Sequence, residues 1–302
     1  MGTKAVRVEP EPRTIDPSLR IGGVELAVAD LSRSVEFYAH ALGLPLIARD
    51  EQAAALGTGP EHAAALRLSR IDDPVAAAPH STGLFHVAWL HPSRAALAAT
   101  VERVLEAGWP IHGASDHGVS EALYLSDPDG LGVEIYADRP RERWPRRADG
   151  RGVEMVTLPL DIDDLLAQAP LEPAPELPAA IALGHVHLKV SDVARAAAFY
   201  RDALGFAEQA RLPGAAFLSA GGYHHHIGLN SWQSRGAGPP PARAPGLARI
   251  VFELAHASAL AQLEDMLAMA TGGRVPAERA PGRVCVEDPD GNRLAFLARP
   301  RV

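Results

Sequence analysis

The chain has one cysteine, Cys285, in 302 residues. A single thiol excludes an intrachain disulfide framework and a cysteine-rich metal site, and it fits a reducing compartment. Basic residues are not in excess: 29 Lys and Arg stand against 37 Asp and Glu, for a formal charge of −8. That balance argues against a nucleic-acid surface. The one local basic run, "PRERWPRRADGRG" (140–152), reads as a solvated linker. No run approaches the eighteen or so apolar residues that a membrane-spanning helix needs. The polar opening "MGTKAVRVEPEPRTIDPSLR" has no apolar export segment, and Val6 stands where a myristoylation signal wants Ser or Thr. These absences predict a soluble, cytoplasmic protein with neither nucleic acid nor membrane as partner. The composition that remains, 47% hydrophobic and 22% charged, is that of an ordinary globular chain.

An internal repeat organises it. "IGGVELAVADLSRSVEFYAHALGL" (21–44) matches "LGHVHLKVSDVARAAAFYRDALGF" (183–206), with Asp30 matching Asp192 and Phe37 matching Phe199 at one constant offset. Each copy reads as an alternating strand and then an Asp that can cap a helix N-terminus. The helix closes at Leu-Gly, where Gly43 or Gly205 is a C-cap signal. A second pair, "TGLFHVAWLHPSRAALAATVERVLEAG" (82–108) and "PGLARIVFELAHASALAQLEDMLAMATGG" (245–273), reads as strand then helix. Both segments of this second pair lead to "DPDG" (127–130 and 288–291), a Pro/Gly turn joining two strands. The chain is thus an N-terminal arm (1–20), two units within 21–138, a linker (139–182) and two units within 183–302. Inside the linker "GVEMVTLPLDIDDLLAQ" predicts a strand and a short helix. The aromatics Phe37, Tyr38, Phe199 and Tyr200 are most simply core contacts, and "QSRGAGPPPARAPG" (233–246) is a flexible loop by composition that could cover a cavity mouth.

Four βαβββ units with "FYxxxLG" helices and "DPDG" hairpins resemble the vicinal oxygen chelate superfamily. It holds glyoxalases, extradiol ring-cleaving dioxygenases and antibiotic-resistance proteins. The resemblance covers residues 21–138 and 183–298. It implies an α+β fold in which the units pair into two open, cup-shaped β-barrels, one cup holding a divalent metal. Ligands in such proteins come from the first and last strands of a unit. Those positions hold His185 in unit 3, where unit 1 has Gly23, and His86 in unit 2, where unit 4 has Arg249. The last strand offers Glu134 in unit 2 and Ala295 in unit 4. His86, Glu134 and His185 are therefore the expected metal ligands, with His187 in reserve and Glu25 a solvent or barrel-lining residue. Two imidazoles and a carboxylate suit Fe(II), with Mn(II) a second fit, and leave coordination positions open. All three fall in units 2 and 3, so unit 2 is expected to pair with unit 3, and unit 1 with unit 4 in a metal-free cup.

"GGYHHHIGLN" (221–230) reads as the last strand of unit 3. Alternation turns either His225 or both His224 and His226 toward the cup. The stretch, with "GHVHLKV", is similar to bacterial catechol 2,3-dioxygenase-like proteins, whose acid/base histidine aligns with His225. The same resemblance assigns Tyr124 to bond a substrate oxygen and matches His117 to a catalytic-site histidine just upstream of that tyrosine, at a looser spacing. Histidine can serve as both proton donor and base near neutrality. The implied function is an Fe(II)-dependent extradiol dioxygenase acting on a catechol-like diol with O2. The alternatives are a glyoxalase-type isomerase or lyase and a non-catalytic drug-binding protein. Exposed sheet edges of this superfamily also allow a homo-oligomer.

Overall fold

The computed structural model describes residues 14–57, 65–150, 152–170, 181–270, 278–280 and 282–299. Unit 1 comprises β1 (Arg20–Val28), α1 (Leu31–Glu36), β2 (Leu46–Arg49), β3 (Ala53–Leu56) and β4 (Leu66–Arg70). Unit 2 comprises β5 (Gly83–His91), α2 (Arg94–Glu106), β6 (Ile111–Asp116), β7 (Ser120–Ser126) and β8 (Gly132–Asp138). A short helix, α3 (Ile162–Leu166), lies in the linker. Unit 3 follows with β9 (Ala182–Lys189), α4 (Val193–Ala198), β10 (Ala207–Leu212), β11 (Ala215–Ser219) and β12 (Ile227–Asn230). Unit 4 closes the chain with β13 (Gly246–Leu254), α5 (Ala257–Ala270), β14 (Glu278–Ala280), β15 (Arg283–Glu287) and β16 (Arg293–Ala298).

The repeated helices begin as the sequence predicts. Asp30 accepts from the N–H groups of Ser32 and Arg33, and Asp192 from those of Ala194 and Arg195. Both then widen into a π turn, Phe37–Ala41 and Phe199–Ala203, which the helical periodicity does not announce. Gly43 and Gly205 follow at φ 76° and 79°, the left-handed region that glycine enters without a Cβ clash.

Two eight-stranded mixed sheets result, and the α+β expectation holds. One runs β10-β11-β12-β9-β5-β8-β7-β6 and joins units 2 and 3. The other runs β14-β15-β16-β13-β1-β4-β3-β2 and joins units 1 and 4. Each sheet thus takes one unit from 21–138 and one from 183–302, the crossed pairing expected from the ligand positions. The unions are antiparallel, β5 with β9 and β1 with β13. Within each strand alternate residues face the helices: Val24, Leu26 and Val28 of β1, and Ile250, Phe252 and Leu254 of β13, are buried in one continuous core. The opposite faces form the cups.

Two buried hydrogen bonds tie the sheets together. Tyr38 of unit 1 donates to Asp127 of unit 2, and Tyr200 of unit 3 to Asp288 of unit 4, both at 3.1 Å. Phe37, Tyr38 and Tyr200 are therefore core residues, Phe199 packs half-buried against the core, and each tyrosine has a polar anchor on a "DPDG" turn. In the linker the structure corrects one expectation. The short helix is present, capped by Asp161, but the predicted strand is reduced to isolated bridges, Arg146 with Val153 and Asp116 with Leu158. Among the described residues no helix is long and apolar enough to cross a membrane.

Candidate metal centre and its surroundings

The crossed pairing sets the geometry of the centre. Ala88 of β5 stands opposite His185 in the antiparallel ladder and beside Glu134 in the parallel one. His86 is on the same face, two residues back. The smallest chiral side chain thus sits between the three candidate ligands and leaves the middle of the cup open. Their donor atoms lie within 4.8 Å of one another, and theirs is the one such cluster found among the described residues. Glu134 Oε2 is 2.9 Å from His86 Nε2 and 3.2 Å from His185 Nε2. All three side chains are buried.

Burial by itself raises the Glu134 carboxyl, but His185 and His86 beside it pull the other way and hold it well below the carboxylate range. Burial likewise pulls His185 down to about 4, leaving a neutral imidazole whose nitrogen can bind a cation. His86 Nε2 approaches the carboxylate closely yet makes no directed hydrogen bond, and His185 Nδ1 is also buried without a partner. Converging donors with unfilled valence and a depressed carboxylate fit a divalent ion better than a closed hydrogen-bond network. His187, the reserve ligand, stays outside the cluster. Its ring packs 5.0 Å from His86 and 5.7 Å from Phe217.

On the same face of the cup, Tyr124 of β7 is paired in register with Glu134. Its hydroxyl lies 2.7 Å from His117 Nε2, while His117 Nδ1 is 2.8 Å from the Val156 carbonyl. A carbonyl can only accept, so Nδ1 carries the proton and Nε2 accepts from the Tyr124 hydroxyl. The irregular linker segment therefore fixes the tautomer of a cup residue. Burial, with Glu134 adding to it, pushes the Tyr124 phenol well above its usual range, so it remains a donor.

The reading of 221–230 as one strand is corrected. Gly221 and Gly222 take φ values of 58° and 67° in a tight turn, and the regular strand begins only at Ile227. His226 already bonds to the Leu218 carbonyl and the Val186 N–H, but Tyr223 through His225 lie outside the ladder, so strict alternation does not sort the three histidines. His225 packs its ring 4.0 Å from that of His185 and 5.0 Å from Phe217. His224 is also fully buried and connects outward: Nδ1 lies 2.8 Å from His225 Nδ1, and Nε2 lies 2.9 Å from Asp138 Oδ1. His226 turns to the Ala220 N–H and the Tyr223 ring. Burial, followed by the neighbouring histidines, lowers His225 well below the usual imidazole value.

Sequence reasoning passed over the support of this group. Tyr223 donates to Asp138 Oδ2 at 2.9 Å and shares a 2.8 Å hydrogen bond with Tyr136. Tyr136 and Asp138 stand two and four residues after Glu134, a period-two signal that places all three on one face. Gly184 makes room for the network, because a Cβ there would come within 1.6 Å of the Tyr136 hydroxyl. A cavity of about 1270 Å³ opens beside the centre, reached by His86 and Tyr124 and walled in part by Pro239, Pro240 and Pro241. The Pro-rich loop thus borders the cavity. Glu25 lies in the other cup, 3.3 Å from Arg249.

Residues 20–135 and 182–296 match the model of the Glyoxalase/Bleomycin resistance protein/Dioxygenase superfamily, and the chain belongs to that family. It is 44% identical over 246 residues to a catechol-2,3-dioxygenase of Bacillus subtilis, covering 80% of this chain and 85% of the relative. In fold it is similar to a putative dioxygenase from Bacillus subtilis at 13% identity, with TM-score 0.66 and coverage of 96% and 87% of the two chains. It is also similar in fold to glyoxalase I from Zea mays at 20% identity, with TM-score 0.58 and coverage of 93% and 92%.

Proposed function

We propose that this protein is an extradiol dioxygenase of the catechol 2,3-dioxygenase type, which uses Fe(II) and O2 to open a catechol-like ring beside its two hydroxyls. The observation that carries the reading is the gathering of His86, Glu134 and His185 with Tyr124, His117 and His225 on one cup face. The 44% identity to a catechol-2,3-dioxygenase over most of both chains supports it. His86, Glu134 and His185 would hold Fe(II), which would supply Lewis acidity and redox capacity.

The chain's own groups handle position and protons. A diol entering from the cavity meets the Tyr124 hydroxyl, which stays protonated and donates to a substrate oxygen. His117, with Nε2 as acceptor, orients that phenol. His225 enters as a neutral imidazole able to take a diol proton and return it as the ring C–C bond breaks and both oxygen atoms of O2 enter the product. Asp138 and His224 hold the His225 ring in place, Asp138 fixing His224 and His224 in turn bonding His225 Nδ1. The buried aromatic and aliphatic surroundings keep bulk water from these groups.

The test is to load anaerobically purified protein with Fe(II), add catechol and air, and follow the yellow ring-fission product. His86→Ala and Glu134→Ala run in parallel. A yellow product in the parent and none in either variant supports the reading. Stoichiometric iron binding through these residues with no ring fission of any catechol overturns the oxygenase and favours a glyoxalase-type reaction. No metal bound at all removes the enzyme.

A further inference from the structure

We propose that the metal-free cup of units 1 and 4 is a second ligand site, for a small organic anion held through Arg67 and Arg283. This cup is not a vestige packed shut. It holds a solvent-open cavity of about 700 Å³, within the range of roughly 300–1,000 Å³ typical of small-molecule sites. Glycine and alanine keep it open: Gly23 stands where unit 3 has His185, and Ala53 and Ala55 line the β3 wall. Alternation fixes what else faces inward. Leu66 and Leu68 of β4 are buried against the core, so Arg67 and Ser69 face the cup. Val284 of β15 is in the core, which turns Arg283 inward from the opposite wall.

The charges of this cup separate into satisfied and unsatisfied groups. Glu25 pairs with Arg249 at 3.3 Å, and Glu253 with Arg20 at 2.7 Å. Asp50 accepts from the N–H groups of Gln52 and Ala53, and Arg49 donates to the Ser32 hydroxyl. Every inward carboxylate is therefore engaged. Among the described residues the exposed Arg67 side chain and the half-buried Arg283 side chain have no ion pair or hydrogen bond, and Arg283 Nε is buried without an acceptor. A buried guanidinium donor left unmatched is costly, and a carboxylate or phosphate oxygen satisfies it. Val251 and Leu297 add an apolar wall, which suits an anion with a hydrophobic body more than a bare inorganic ion. The duplication thus kept the cup and exchanged a metal-binding donor set for an anion-binding one.

Calorimetric titration of the full, metal-loaded protein with benzoate and, separately, with inorganic phosphate tests this. The expected result is one benzoate site, weakened about tenfold in Arg67→Ala and in Arg283→Ala, about the value of one charged hydrogen bond. Binding should be unchanged in His86→Ala, which alters only the metal cup. Ala55→Trp, which fills the anion cup without touching a charge, should abolish it, and it keeps the test decisive if an arginine variant fails to fold. Phosphate binding more tightly than benzoate, with the same arginine dependence, also supports the site and assigns it to phosphorylated ligands. No binding of either probe overturns the proposal, as does binding that survives both arginine variants but is lost in His86→Ala.

Discussion

Lowering the pH from 7 to 5 should expose one buried histidine that has no part in the metal centre. His91 is 2% exposed. Its Nδ1 donates toward the carbonyls of Trp89 and Tyr136 at 3.1 and 3.3 Å, and its Nε2 accepts from the Thr100 hydroxyl at 3.0 Å. Burial pulls its pKa from 6.5 down to about 4. Between those values the unfolded chain takes the proton and the folded one refuses it, so stability falls as the solution is acidified. At pH 5 the cost is about 2 kcal/mol. Asp127 works in the opposite direction. Burial raises its carboxyl from 3.8 to about 6. The folded state therefore binds that proton first and gains roughly 1 kcal/mol at pH 5. The parent's own pH dependence mixes such groups, and the histidines of the cup add to it. The difference between parent and His91→Gln isolates His91, because glutamine can donate and accept without titrating. Urea unfolding of both proteins, stripped of metal by chelation, at pH 7 and pH 5 makes the measurement. His91→Gln should lose about 2 kcal/mol less than the parent between the two conditions. Equal losses would refute the assignment of a neutral, proton-refusing His91.

Three further outcomes follow from the geometry. Tyr124→Phe removes the donor beside the diol and should lower kcat about a hundredfold with a smaller change in KM, read by steady-state kinetics of ring fission. Ala88→Leu fills the space between His185 and Glu134 and should abolish stoichiometric Fe(II) binding while circular dichroism shows the fold retained. Tyr38→Phe and Tyr200→Phe each remove a buried anchor on a "DPDG" aspartate and should cost about 1–2 kcal/mol in denaturant unfolding, additively in the double variant.

Much of this was legible because duplication turns one sequence into its own comparison. With the ligand positions that the family resemblance implies, Gly23, Arg249 and Ala295 mark where a second metal triad is absent, and their distribution among the units predicts the crossed pairing before any coordinate is known. Local chemistry also announces the caps at Asp30 and Asp192 and the "DPDG" turns. The approach of His225 to the centre was harder to read. Two consecutive left-handed glycines take Tyr223 through His225 out of the ladder, and alternation loses its meaning there. The Tyr136, Tyr223, Asp138 and His224 network joins residues more than eighty positions apart, so no local pattern reveals it, although the period-two spacing of Tyr136 and Asp138 from Glu134 was available. The Val156 carbonyl that fixes His117 is invisible for another reason. A backbone group carries no residue-type signal, and the segment bearing it has almost no regular structure.

The crossed pairing also sets a timetable for the nascent chain. The β5–β9 union of the metal-bearing sheet joins strands about a hundred residues apart, so that sheet can close once β12 has left the ribosome. β1 has to wait longer. Its partner across the union is β13, and Glu25 meets Arg249 across 224 residues of chain. Until β13 emerges, β1 is paired only with β4 and keeps one open edge beside an apolar face, the kind of surface that recruits other strands. Shortage of chaperones during synthesis should therefore harm yield through unit 1, while the His86, Glu134 and His185 cluster is already assembled.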